Sequence, residues 1–297
     1  MSLVFEAILP HGPDVIAEIA EDPAVMVKTR AAMEEVGRRF AATRAETVIL
    51  LSPDCVHTFQ GMAIAETSQG IRTQFPHMGE ATMTVGTAAN AFGGLEVPGG
   101  RCISDHFACD VKLAETLLSA AGADFPVVRA AGENGELRLE YGVTIPLWFT
   151  VHPHPTPRPE LVVVTPSPAM PREALLRFGR LIADVARDSG KRVALIASAD
   201  QGHTHDCNHK RFGFSPAAAQ YDALYCDAVS KNRLNRLLDV SDDMLRKSWS
   251  DSLWQTLILA GAIDCVPMKV DLLSYEVPTY YGMVVAVYEP IQSDGKE

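Results

Sequence analysis

Residues 192–206 read Arg-Val-Ala-Leu-Ile-Ala-Ser-Ala-Asp-Gln-Gly-His-Thr-His-Asp. After the opening arginine, the run to Ala197 is wholly apolar and too short for an ordinary helix. A run of this kind suits a strand covered on both faces of a parallel sheet. It passes directly into a polar loop that carries Asp200, His203, His205 and Asp206. In open α/β sheets the carboxyl ends of the strands are where ligands bind.

The same pattern recurs on either side. Pro171–Asp188 reads as a helix, with Pro171 at its start and Ser189-Gly190 at its end. Before it, Leu161–Val164 is another buried strand, preceded by a proline-rich loop over His152–Pro159. Thr47–Leu51 and Leu3–Leu9 are further apolar strands, and an amphipathic segment from about Pro13 to Thr43 breaks near Asp22-Pro23. Residues 61–105 are rich in Gly, Thr and Ala and suggest irregular or short strands, with turns at Gly93-Gly94 and Pro98-Gly99-Gly100. Asp110–Ala121, Ala217–Leu238, Ser241–Lys247 and Leu253–Ala262 read as helices, and Gly282–Val287 as a last strand. This alternation predicts one α/β domain over 1–297, with a central, mostly parallel sheet flanked by helices on both faces.

Composition narrows the function classes. The chain has 297 residues, a formal net charge of −11 and no Lys/Arg run longer than two, which argues against nucleic-acid and membrane-surface partners. Six scattered cysteines without a C-x-x-C pair suit reduced thiols. The N-terminus lacks the charged and apolar regions of a signal peptide, and no apolar run approaches the ~20 residues of a membrane span. A cytoplasmic location is expected.

Histidine is the informative class. Nine are present, and His11, His57 and His203 each follow a buried strand within a few residues. Imidazole is the commonest transition-metal ligand and the usual acid–base group near neutrality. A carboxylate would complete a two-histidine, one-carboxylate facial triad. Asp54, Asp200, Asp251 and Glu276 are all candidates for it. His205 is a weaker candidate, because an H-x-H pair shares one face only on a strand. Phosphate-loop, nucleophile-elbow and H-E-x-x-H signatures are absent.

Five segments taken together resemble the class III extradiol ring-cleavage dioxygenases, the superfamily of the protocatechuate 4,5-dioxygenase β-subunit. They are Ile8–His11, Leu51–His57, Leu139–Leu147 (Leu-Glu-Tyr-Gly-Val-Thr-Ile-Pro-Leu), Ala197–His203 and Asp251–Ala262. The resemblance implies that His11, His57 and Asp251 hold Fe(II), that His203 is the acid–base residue, and that Tyr141 can hydrogen-bond beside it. It also implies a catechol-like or 2-aminophenol-like substrate, O₂ as co-substrate, and a homo-oligomer. The sequence departs from the family pattern twice. Cys55 and Val56 separate Asp54 from His57, which makes Asp54 an alternative ligand, and Asp251 stands where the family has glutamate. Two competing readings use the same fold: a zinc or manganese hydrolase, and a non-catalytic subunit.

Overall fold

The computed structural model describes residues 2–53, 82–132 and 134–291. The chain runs β1 (Leu3–Leu9), α1 (Val27–Thr43), β2 (Thr47–Leu51), β3 (Met83–Gly86), β4 (Asn90–Val97) and β5 (Arg101–Ala108). It continues through α2 (Val111–Ala121), β6 (Val127–Ala130), β7 (Glu136–Leu139), α3 (Tyr141–Thr150), β8 (Glu160–Thr165) and α4 (Arg172–Ser189). Then follow β9 (Val193–Ser198), α5 (Pro216–Ser230), α6 (Asp242–Ser248), α7 (Leu253–Ile263), β10 (Met268–Glu276) and β11 (Met283–Pro290).

Eight strands form the main sheet in the order β10-β11-β1-β9-β2-β8-β3-β6. Its centre, β1-β9-β2-β8, is parallel, while β11 and β3 run antiparallel to β1 and β8. Every residue of β2 and β9 is buried. Alternation explains why: Val48, Leu50 and Ile196 join the core under α1 and α3, and Ile49, Leu51 and Leu195 join the core under α2, α4 and α7. The register sets Leu9 opposite Ser198 and Leu51 opposite Ala197, so the strands end level with one another. Helices α4 and α7 meet at backbone contact, since a Cβ on Gly179 or Gly261 would strike the carbonyls of Ile258 or Leu176. That seating fixes where α7 begins, and Asp251 lies just before it.

Some expectations are met and others revised. Short strands do occupy the stretch after residue 82: β3 joins the main sheet, and β4 and β5 form a three-stranded sheet with β7 in the order β5-β4-β7. Gly99 and Gly100, at φ +96° and +77°, turn its hairpin. Gly93, by contrast, lies inside β4, where a Cβ would press on Thr144 of α3. The helix expected over Ala217–Leu238 stops at Ser230; Asn232 takes φ +51° and a 3₁₀ turn follows over Leu234–Asp239. Asparagine tolerates that left-handed conformation and so breaks the run. The edge strand β10 has no sequence counterpart above, because its inward and outward residues are mixed in polarity. Among the described residues no helix is long and apolar enough to cross a membrane.

Candidate active site

Two strand ends and the turn before a helix build the site. β1 ends at Leu9 and the chain turns through Pro10-His11-Gly12. β9 ends at Ser198 and continues to Asp200 and His203. Asp251 precedes Ser252, the N-cap of α7.

His11 is buried and held at both ends. Its backbone N–H donates to Asp200 Oδ1 at 3.0 Å, and its Nδ1 lies 2.9 Å from Ser198 Oγ. The Ser198 hydroxyl donates its own hydrogen to the Gly142 carbonyl at 2.5 Å. Ser198 Oγ therefore accepts from His11 Nδ1–H, which leaves Nε2 as the nitrogen with the lone pair. That Nε2 is 3.4 Å from both Asp200 Oδ2 and Asp251 Oδ2.

The two carboxylates are aimed by the backbone. Asp251 Oδ1 accepts the Asp200 N–H at 3.0 Å. Gln255, one turn into α7, donates to the carbonyls of both Ser198 and Asp251 at 2.7 Å. Each aspartate thus spends one oxygen on a backbone N–H and turns the other toward His11. Asp251 makes no capping hydrogen bond to α7. Burial raises the pKa of Asp200. The His11 imidazole opposes this, the Asp251 carboxylate reinforces it, and His203 and the His11 N–H also lower it; the net shift is upward.

One imidazole nitrogen and two carboxylate oxygens thus face one another, donors of a kind that suit a cation. A proton alone serves poorly, because 3.4 Å is longer than an N–H···O hydrogen bond. Two donors about 2.1 Å from one metal ion stand roughly 3.0–3.4 Å apart. The His11–Asp251 separation fits two such positions. Among the described residues, no group of three or more His, Cys, Asp or Glu side chains is arranged to hold a metal ion by itself. His57 and Asp54 lie outside the described residues. Glu276 is elsewhere, accepting from Thr29 N–H and Oγ1 in the first turn of α1.

His203 sits beside this cluster. Its N–H donates to the Ser248 carbonyl at 2.7 Å. Its ring stacks on Tyr281, with centroids 5.4 Å and planes 18° apart, and Phe212 and Tyr280 lie 5.4 and 6.0 Å away. Its Nδ1 is buried with no hydrogen-bond partner among the described residues. Tyr281 reaches this position because residue 12 is glycine; a Cβ there would collide with the phenol oxygen. Burial drives the Tyr281 hydroxyl pKa well up, so it stays protonated.

Tyr141 is the first residue of α3, not a sheet residue, and its ring centre lies 5.6 Å from that of His11. The other histidines are engaged apart from the cluster. His205 Nε2 meets Asp222, His152 stacks on Trp148 and contacts Asp105, and His106 packs on Phe92. Arg101 and Arg158 bond to the Ala20 carbonyl and to Asp105. Arg72 and His77 lie outside the described residues. The residues missed from sequence are Ser198, Gln255, Phe212 and the pair Tyr280-Tyr281. The available signal was two adjacent tyrosines placed directly before the last strand.

The family described as the catalytic LigB subunit of aromatic ring-opening dioxygenase matches residues 6–286. The chain belongs to this family. Protein CA_C1420 of Clostridium acetobutylicum is 20% identical over 305 residues, covering 99% of this chain and 59% of that protein. The chain thus spans about three fifths of that relative's length. The crystal structure of the uncharacterized protein JW3007 from Escherichia coli K12 superposes with a TM-score of 0.58 at 15% identity, over 96% of this chain and 99% of that one. At that identity the likeness is one of fold.

Proposed function

We propose that the protein is an Fe(II)-dependent extradiol dioxygenase that opens a catechol-like or 2-aminophenol-like ring with O₂. The observation that carries the reading is the His11 Nε2 lone pair turned toward two carboxylate oxygens at the carboxyl edge of the sheet, beside His203. His11 and Asp251 are the holding residues on this reading, and the family resemblance adds His57. Bound iron would bring an electron-rich ring and O₂ together, chemistry that no side chain of the chain provides.

The chain's own residues do the rest. Ser198 and Gln255 fix the donors before anything binds, so little reorganisation is needed. His203 takes a proton from a substrate hydroxyl and later returns one to the product, a role supported by its buried Nδ1, which has no hydrogen-bond partner among the described residues. The stacked Tyr281 holds that imidazole in plane and helps exclude water. Ring opening beside the two heteroatoms gives a semialdehyde-type product.

Anaerobic purification with Fe(II), followed by O₂ uptake over a panel of catechols and 2-aminophenols, tests the reading. Uptake with a ring-cleavage chromophore is expected. His203→Ala should keep its iron and lose about 10²- to 10⁴-fold in turnover. Bound iron with no uptake on any substrate, or bound zinc with hydrolysis alone, overturns the proposal. Loss of iron in His203→Ala overturns the role of His203.

A further inference from the structure

We propose that Asp222 is the positioning residue of His203, an inference that rests on the reading of His203 as the proton-handling group. Asp222 lies on α5 and is fully buried. Its Oδ1 accepts the Gly202 N–H at 2.7 Å. Its Oδ2 accepts the Tyr275 hydroxyl at 2.8 Å and stands 2.9 Å from His205 Nε2. One carboxylate therefore grips the chain one residue before His203 and two residues after it.

The same carboxylate anchors the segment that stacks on His203. Gly282 N–H donates to the Gly202 carbonyl, and Gln201 N–H donates to the Gly282 carbonyl, both at 2.9 Å. His205 N–H reaches the Tyr280 carbonyl at 3.2 Å. Space is made for this by two glycines. A Cβ at Gly202 would lie 2.6 Å from the Ala218 Cβ and 3.1 Å from Asp222 Oδ1, and a Cβ at Gly282 would strike the Asp222 carboxylate. With Asp222 in place, Tyr280 and Tyr281 are carried to the imidazole by the strand end that the carboxylate abuts.

A buried carboxylate is costly, and an apolar residue of similar size often serves stability as well or better. Here the carboxylate accepts from the Gly202 N–H and His205 Nε2, on either side of His203, and from the Tyr275 hydroxyl near the end of β10, the strand that leads into the 280–282 segment. None of its hydrogen bonds reaches the His11 cluster. Its contribution is geometric: misplacing a reacting group by about 1 Å can lower a rate by ~10²-fold.

The test uses the full Fe(II)-loaded chain as wild type, Asp222→Asn, His203→Ala and the double variant. Asp222→Asn should keep iron and a KM within about threefold, and lose roughly 10²-fold in kcat. The double variant should be no slower than His203→Ala, because residues that act as a unit are not additive. Multiplied losses, or an unchanged kcat in Asp222→Asn, overturn the proposal. Tyr275→Phe removes one donor from the same oxygen. It should cost about 3- to 10-fold in kcat with the same non-additivity, which keeps the test open if Asp222→Asn fails to fold. Failure of the dioxygenase reading is separable. If wild type turns over no substrate, ¹H–¹³C spectra of the histidine rings decide, with His203 assigned by its loss in His203→Ala. Asp222→Asn should move the His203 signals and leave those of exposed His106 in place; unmoved His203 signals overturn the proposal.

Discussion

The main sheet buries a carboxylate at each of its two edges, and the two are treated oppositely. At the amino edge, Asp110 accepts from Lys191 Nζ at 2.5 Å, Thr47 Oγ1 at 2.7 Å and the Leu113 N–H at 3.0 Å. Burial pushes its pKa up, but those bonds and the lysine charge outweigh burial and leave it lowered. At the carboxyl edge, burial wins at Asp200 and the pKa is raised. Its neighbours are a second carboxylate and an imidazole lone pair. The first arrangement pairs its carboxylate with a lysine; the second sets it beside another carboxylate. A cavity of about 990 Å³ opens at the amino edge, lined by Arg158, Lys191 and Arg192 among others. Yet each of those cations is already paired, with Asp105, with Asp110 and Glu160, and with Glu46.

Exchanging the two aspartates should break this contrast in opposite ways. Asp200→Asn keeps the shape, removes one of two facing charges, and should change the unfolding free energy of the metal-free protein by less than about 1 kcal/mol. The same variant should lower Fe(II) affinity by roughly 10- to 100-fold, measured by competition with a chelator. Asp110→Ala should do the reverse. It leaves Lys191 with Glu160 as its one carboxylate partner and removes the N-cap of α2, with a loss of about 2 kcal/mol in denaturant unfolding and unchanged Fe(II) affinity. Because the folded pKa of Asp110 is lowered, its contribution is present above the unfolded value of about 3.9 and fades as pH falls through the folded one. The deficit of Asp110→Ala should therefore shrink below about pH 4. Equal effects of both variants on stability and on iron would dissolve the distinction.

How much of each edge was legible follows from the range of the forces involved. The strands Leu3–Leu9 and Thr47–Leu51 were readable to the residue, because double-sided burial leaves a nearly continuous apolar run, broken in the first by Glu6 alone. His11 and His203 were readable because a strand end is a place in the sequence. Asp251 needed the family resemblance, and its partnership with Asp200 was invisible, since it depends on two segments 51 positions apart meeting through a backbone N–H. Ser198 was hidden for another reason. Its role comes from donating to Gly142 while accepting from His11, and nothing in a lone serine marks that. Asp110 was legible as a helix start but not as half of an ion pair, because Lys191 arrives from 81 positions away.

Glu6 sharpens the contrast from the middle of the sheet. It is fully buried on β1, and neither carboxyl oxygen has a hydrogen-bond partner among the described residues. Burial alone raises its pKa well above the ordinary value. The sign follows directly. A folded pKa above the unfolded one contributes stability below pH ~4.3, and that contribution is lost as pH rises through the folded value. Glu6→Met, which removes the charge and keeps the length, should stabilise the protein at pH 7 by at least about 1 kcal/mol, the worth of one pKa unit. The gain should vanish on titration to pH 4. A loss of stability at pH 7, or a loss of Fe(II) binding, would mean that Glu6 has a partner and belongs with Asp110 or with Asp200.

Tyr141 is expected to give the smallest effect. It is 39% exposed at the start of α3, and its ring lies 5.6 Å, tilted by 58°, from that of His11. The net worth of one hydrogen bond at such a half-exposed residue is about 1 kcal/mol, or roughly fivefold in rate. Tyr141→Phe should therefore lower kcat/KM by less than about tenfold and leave both iron content and unfolding midpoint unchanged. A loss comparable with that of His203→Ala would place the phenol on the reacting atoms. The proton-handling group would then be split between two walls of the site, with His203 on one and the first turn of α3 on the other.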